Sequence, residues 1–234
     1  MKQAIKDLLT LQAEDLRIRD LKTRLMSIPR ERAALVAEFD VVRKGLEKAK
    51  QNKLKVEQAV KQQAAATKAA QDKLQALKIK SSSIKKINEY NAILAEIEAA
   101  KKNISDSETR EIELMDEQEA AEKMLVKSER SYKATGRTVQ AEVRELDSLK
   151  ETIAKEIAER EKTSAELAKN VVPNYLDPYR RMLATGKGNP VGTIRNGSCS
   201  NCNMRNSPQT EMEARNGNLV HCDNCSFFLY DPEA

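Results

Sequence analysis

Four cysteines carry the clearest chemistry in this sequence. Cys199-Ser-Asn-Cys202 is followed, after 19 residues, by Cys222-Asp-Asn-Cys225, and no other cysteine occurs. Two C-x-x-C turns at about this spacing let four thiolates converge on one tetrahedral ion. Four thiolates leave no coordination position open for water, so the expected site is one structural zinc ion rather than a catalytic metal. The third position of each turn, Asn201 and Asn224, is expected to take a left-handed backbone, which Asn tolerates best after Gly. The competing chemistry is a redox C-x-x-C pair, and it lacks the βαβ pattern that would support it. His221 adjoins Cys222 and could replace a ligand, but four Cys already suffice, so it reads as a strand residue. No catalytic residue is assigned: the chain has one His and no nucleophile–base constellation. Gly186-Lys187-Gly188 lacks the spacing of a phosphate-binding loop.

The elements that must position the cysteines are short. Residues 191–234 hold strand candidates Val191–Ile194, Leu219–His221 and Phe227–Tyr230, with turn signals at Asn196-Gly197 and Asn216-Gly217. Such a module has too little core to fold unaided, and a metal supplies the missing stabilisation. Phe227, Phe228 and Tyr230 are expected to build its core or its contact with a preceding helix. The module carries three Arg, no Lys and five acidic residues, a balance that disfavours phosphate binding.

Before it, residues 1–172 have a different character. Of 234 residues, 33% are charged and only 3% aromatic, with 7 Gly, 6 Pro and no Trp, which suits long helices packed along a narrow seam. From Leu35 the apolar positions run Phe39, Val42, Leu46, Ala49, Val56, Val60, Ala70, Leu74, Leu77 and Ile84. Polar Lys53, Gln63, Thr67 and Ser81 fill the intervening slots. A second series runs Tyr132, Val139, Val143, Leu146, Ile153, Ile157, Leu167 and Val171, with Lys150 in one slot. Both keep the mean repeat of about 3.5 residues that marks a supercoiled helix seam. A compact bundle would show a wider apolar face. The three serines near Ser82 are poor helix interior and mark a turn at 78–85. Folding there gives two arms of about 80 residues, roughly 120 Å each. Pro29 is expected to kink or break the first helix, and Gly136 is a weaker soft spot in the second.

Charge supports antiparallel pairing. Residues 43–86 contain 13 basic and 3 acidic side chains, and residues 87–122 contain 3 basic and 11 acidic ones. Laid side by side, these stretches would help select register, and much of the net charge of +5 would have an internal partner. Pro173 ends the second helix, Asp177-Pro178 opens a short helix through Tyr179, Met182 and Leu183, and 185–190 reads as a linker. The expected organisation is therefore mainly α: a long antiparallel coiled-coil hairpin over 1–172, a short helix and linker over 173–190, and a small β zinc ribbon over 191–234.

The chain resembles the bacterial family of long coiled-coil hairpins with a C-terminal four-cysteine zinc ribbon. The segments that carry the resemblance are LLTLQAEDLRIRDL, KKINEYNAILAEI, YLDPYRRM and NGSCSNCNMRNSPQ…LVHCDNCSFFLY. They span nearly the whole chain in order, and the ribbon segment is the most specific. The sequence departs from the family pattern at Asn201, where Gly is frequent, and at Ser226-Phe227, where Gly-Arg is common. The resemblance implies a non-enzymatic adaptor or chaperone. Its relatives are linked to the sigma-54 factor and to flagellar or type III secretion components, including the regulator of the export ATPase.

Candidate partner contacts are Lys85, Lys86, Asn88, Glu89, Tyr90 and Asn91 near the hairpin turn, where an aromatic can anchor a contact. Tyr90 also reads as a seam residue beside Ile87 and Leu94. RNA binding is the alternative reading. An RNA polymerase secondary-channel regulator fits less well, because such proteins need acids at a tip that is basic here. No run of about 18 apolar residues suggests a membrane span, and the N-terminus lacks the form of an export signal. The expected location is the cytoplasm, and the sequence does not decide the oligomeric state.

Overall fold

The computed structural model describes residues 2–234. Two long helices, α1 (Gln3–Ser81) and α2 (Ile87–Ala168), pack antiparallel and are joined by a turn over 82–86. A short helix α3 (Pro173–Ala184) leads into the C-terminal region. There β1 (Val191–Arg195), β2 (Ser198–Cys199), α4 (Pro208–Arg215), β3 (Val220–His221) and β4 (Phe228–Tyr230) follow in order. The strands form one sheet in the order β2-β1-β4-β3, with β1 and β4 parallel and the other neighbours antiparallel.

The chain divides into two compact units. In the unit Ala33–Val143, every seam slot read from Leu35 to Ile84 is at least half-buried, and Leu46 and Thr67 are fully so. The polar slots are each used. Lys53 Nζ reaches Glu122 at 2.6 Å, and the Gln63 amide donates to the Ser107 carbonyl at 3.2 Å. Thr67 and Ser81 turn their hydroxyls back to the carbonyls of Gln63 and Lys78. The facing seam on α2 is Ile93, Ile97, Ile104, Leu114 and Ala121, all buried. Half-buried Ser107, Glu111 and Gln118 lie between them and Ser128 follows, which is why apolar spacing alone did not expose that series.

Gly136 leaves α2 unbroken and serves the seam. A Cβ there would sit 3.2 Å from the Phe39 ring, which stacks on Tyr132 with centroids 5.0 Å apart. The two oppositely charged stretches are joined by few direct contacts. Among the described residues, Lys53–Glu122 is the ion pair that crosses the seam between 43–86 and 87–122. Acids of α2 more often pair within their own helix, as Glu113 and Glu117 do with Arg110. Among the described residues most α1 lysines make no ion pair, and any effect of the two charge fields on register is a diffuse one.

The other unit joins residues up to Arg32 with Arg144–Ala234. Ile18, Leu21 and Ile28 of α1 bury against Ile153 and Ile157 of α2. Pro29 does not interrupt α1. It removes the N–H that would meet the Leu25 carbonyl, while the neighbouring Ile28, 1% exposed, holds the turn in the core. α3 begins earlier than the sequence suggested. Pro173 is its first residue, where a missing N–H costs nothing, and Pro178 lies inside the helix.

Leu8, Leu11, Ala168, Val171, Tyr179, Val191 and Phe228 then form one core that joins helices to sheet. Phe228 meets Tyr175 edge-on at 5.9 Å. Tyr179 is fully buried and donates its hydroxyl to Asp15 at 2.7 Å. Burial first, and then the Asp15 carboxylate, pushes its phenol well above the usual range, so it stays a donor. Gln12, 7% exposed, clamps the sheet: its amide donates to the Val191 carbonyl at 2.9 Å and accepts from the Val191 N–H at 2.6 Å. Gln12→Leu would strand both backbone groups. We expect a loss on the order of 2–4 kcal/mol, read as a lower melting temperature and faster proteolysis of the C-terminal region.

Candidate metal centre

The two cysteine turns are near-copies of one another. In the first, the Cys199 N–H donates to the Met204 carbonyl and the Asn203 N–H donates to the Cys199 carbonyl. In the second, Cys222 donates to Phe227, and Ser226 donates to Cys222. The residue after the second cysteine is left-handed in both, Asn203 at φ 57° and Ser226 at φ 61°. This corrects the expectation for Asn201 and Asn224: the chain reverses one step after the second ligand. A backbone N–H also approaches a sulfur directly, from Asn201 to Cys199 Sγ at 3.3 Å.

The turns bring the four Sγ atoms within 4.8 Å of one another. Cys199–Cys225 and Cys202–Cys222 are each separated by 3.8 Å. A tetrahedron with metal–sulfur bonds of about 2.3 Å has edges of about 3.8 Å, whereas a disulfide needs about 2.05 Å. The donor set therefore fits one tetrahedral metal ion. Burial raises the Cys199 thiol and pushes that of Cys225 up to about 12. Cys222 moves the other way, because backbone N–H groups of Cys225 and Asn224 overcome its burial. Thiols held protonated must lose their protons to bind a metal, so the site's affinity falls as pH falls.

The neighbouring donors are turned elsewhere. His221 is outside the cluster: its ring packs 4.6 Å from Phe228 and its Nδ1 lies 3.1 Å from the Ser226 carbonyl oxygen. Asp223 accepts from the Ser207 N–H at 2.7 Å and from the Thr210 hydroxyl. These contacts, the Ser207 N–H foremost, hold its carboxyl below the usual range, and they tie the second turn to the start of α4. Ile194, Ala214, Val220 and Leu229 cover the sulfurs on one side.

Three further residues hold the frame, and the sequence reading missed two of them. Asn206, 7% exposed, donates to the Gly197 carbonyl and accepts from the Asp223 N–H at 3.0 Å, so it bridges both turns. Ser207 caps α4, its hydroxyl accepting from the Thr210 N–H. Its signal was legible, since Ser followed by Pro is a helix-start pattern. Asn201, expected to be a left-handed turn residue, instead clasps the linker: its amide donates to the Asn189 carbonyl at 2.7 Å and accepts from the Asn189 N–H. Asn216-Gly217, read as a turn signal, makes the turn that ends α4, with Gly217 left-handed at φ 74°. Asn196-Gly197 does turn between β1 and β2.

The residues named near the hairpin turn, Lys85, Lys86, Asn88, Glu89, Tyr90 and Asn91, are all exposed. Lys86 pairs with Glu89 at 3.1 Å, and Tyr90 is 41% exposed, which makes it a poor seam residue. No helix is long and apolar enough to cross a membrane among the described residues.

No family model matches the sequence, and no curated protein matches it. Solved structures do. The chain is similar to CT398 of Chlamydia trachomatis, with a TM-score of 0.80 and 26% identity over 97% of both chains. It shares its fold with HP0958 of Helicobacter pylori, with a TM-score of 0.59 and 20% identity over 100% of this chain and 99% of that one. It also shares it with a protein of Mycobacterium smegmatis, with a TM-score of 0.68 and 15% identity over 99% of this chain and 100% of the other.

Two outcomes test the centre. Cys202→Ser should abolish stoichiometric metal in the purified protein, read by elemental analysis, while the far-UV helical signal persists. Ser226→Gly should relieve the left-handed strain and stabilise the metal-bound region by about 1 kcal/mol, read as slower metal loss to a chelator.

Proposed function

We propose that this protein is a non-enzymatic zinc-binding adaptor or chaperone that presents a coiled-coil hairpin to protein partners. The observation that carries the reading is the closed four-sulfur site. Its 3.8 Å edges suit zinc, and its four ligands leave no place for a substrate or an activated water. The metal then acts as a cross-link in a region that buries little apolar surface of its own. Gln12, Tyr179 and Phe228 join that region to the helices, so the ribbon and the helix ends beside it form one platform.

The hairpin turn supports the partner-binding half of the proposal. It exposes Lys85, Asn88, Tyr90 and Asn91 with no ion pair among the described residues. The family resemblance of the sequence favours sigma-54 factor and flagellar or type III export components as partners, with the cytoplasm as the setting. RNA binding is the second reading, favoured by the α1 lysines that make no ion pair among the described residues. A secondary-channel role is disfavoured because Glu89, the acid nearest the turn, is engaged by Lys86.

Affinity purification from the native cells, with wild type and Tyr90→Ala/Lys86→Ala compared, tests the reading. Partners recovered by wild type should be depleted about tenfold in the variant if Tyr90 is an anchor. Unchanged recovery counts against recognition at the turn. Nuclease-sensitive recovery whose affinity falls steeply with salt would instead favour RNA.

A further inference from the structure

The two sides of the hairpin differ sharply near its turn. On one side, Gln71 of α1 donates to Glu108 of α2 at 3.3 Å. Each follows a seam residue, Ala70 and Ser107, so they mark the register of that side. One heptad toward the turn, the same positions are Lys78 and Lys101. One heptad further α1 has already ended at Ser81, α2 carries Leu94 and then Ile87, and Lys85 lies in the turn that joins the helices. On the opposite side, Lys73 lines a groove with Glu96 and Asn103, and one heptad on come Lys80 and Glu89. The second side thus sets carboxylates among its cations, although Glu89 is held by Lys86 and neither Lys73 nor Lys80 makes an ion pair among the described residues.

The first side does not. Its α2 positions are aliphatic: Ile87 is 76% exposed and Leu94 40% exposed, with Tyr90 between them at 41%. Its cations are uncompensated apart from Lys101, which Glu98 holds at 2.5 Å. Lys78 and Lys85 make no ion pair among the described residues. An exposed aliphatic strip one heptad long beside unpaired lysines offers the apolar centre and charged rim of an interface.

We infer that this side of the hairpin turn docks an acidic amphipathic helix of a partner protein, which packs along the first turns of α2. Apolar residues one heptad apart on the partner would mesh with Ile87 and Leu94, Tyr90 would fill the space between, and carboxylates would meet Lys78 and Lys85. The heptad spacing suits a helix, and the charge asymmetry fixes which side it takes. A nucleic acid would leave the aliphatic strip without a partner. The inference rests on the adaptor reading and specifies the chemistry of its partner.

The test uses the full-length protein and four fluorescein-labelled probes read by anisotropy. The first is a three-heptad peptide with Leu at the two seam positions and Glu and Ala elsewhere. The second has the same composition with its Leu residues scattered around the helix. The third replaces every Glu with Lys, and the fourth is a short single-stranded RNA. The first peptide should bind, more weakly as salt rises, and the others about tenfold more weakly or not at all. Lys78→Glu/Lys85→Glu and Ile87→Asp should each weaken it about tenfold, whereas Lys73→Glu/Lys80→Glu, on the other side, should not.

Absent binding, equal binding of the scattered peptide, insensitivity to the side of substitution, or preference for RNA would each overturn the inference. Loss of native partners in the Tyr90→Ala/Lys86→Ala variant without peptide binding would leave the adaptor reading standing and remove only this chemistry.

Discussion

Four sulfurs within 4.8 Å are an arrangement that apolar burial does not produce by itself. Deprotonated, they repel; protonated, they form weak hydrogen bonds and little else. A divalent ion at their centre reverses this, and the surrounding geometry is consistent with that requirement. The paired turns repeat the same backbone hydrogen bonds and the same left-handed step. Asn206 and Asp223 lock one turn to the other and to α4. The sheet, whose strands run two to five residues, takes its shape from these turns. In turn it offers Val191 and Phe228 to the helices, so the same turns shape the surface on which the helix ends pack.

A different physics governs the long helices. Their seam is thin, with many slots filled by Ala, Ser, Thr, Gln or Lys. Such a seam gains less from apolar burial per turn than one made of Leu and Ile. Its specificity comes from fitted local features instead: Gly136 beneath the Phe39–Tyr132 stack, Lys53 reaching Glu122, and Gln63 on the Ser107 carbonyl. These are directional contacts, and they pin register where apolar side chains alone would slide. The same economy leaves large residues such as Ile87 and Ile112 outside the seam, available to other surfaces.

Much of this was legible in the residues. The four-three spacing from Leu35 to Ile84 named the slots that the structure buries or half-buries. The serines near Ser82 located the turn, and the C-x-x-C pairs named the four sulfurs that converge. What was not legible involved residues whose partner is distant in sequence. Gln12 looks like any exposed helix glutamine until Val191 is placed beside it. Asn206 has no motif and acts only because Gly197 and Asp223 converge on it. Likewise, the charge segments suggested widespread pairing, but side-chain reach and rotation about each helix decide which lysine meets an acid, and few do.

The sequence by itself determined the helical class, the α1 seam, the turn and the four cysteines that cluster, because each depends on local periodicity or on spacing along the chain. Tertiary structure alone decided where the left-handed steps fall, how Asn201 and Gln12 are used, and which lysines meet an acid. Those features depend on atoms brought together from separate segments, and no local pattern records such a meeting. The four cysteines belong to both accounts. Their spacing announces a metal site, and the 3.8 Å edges exist only once two distant turns are folded against each other.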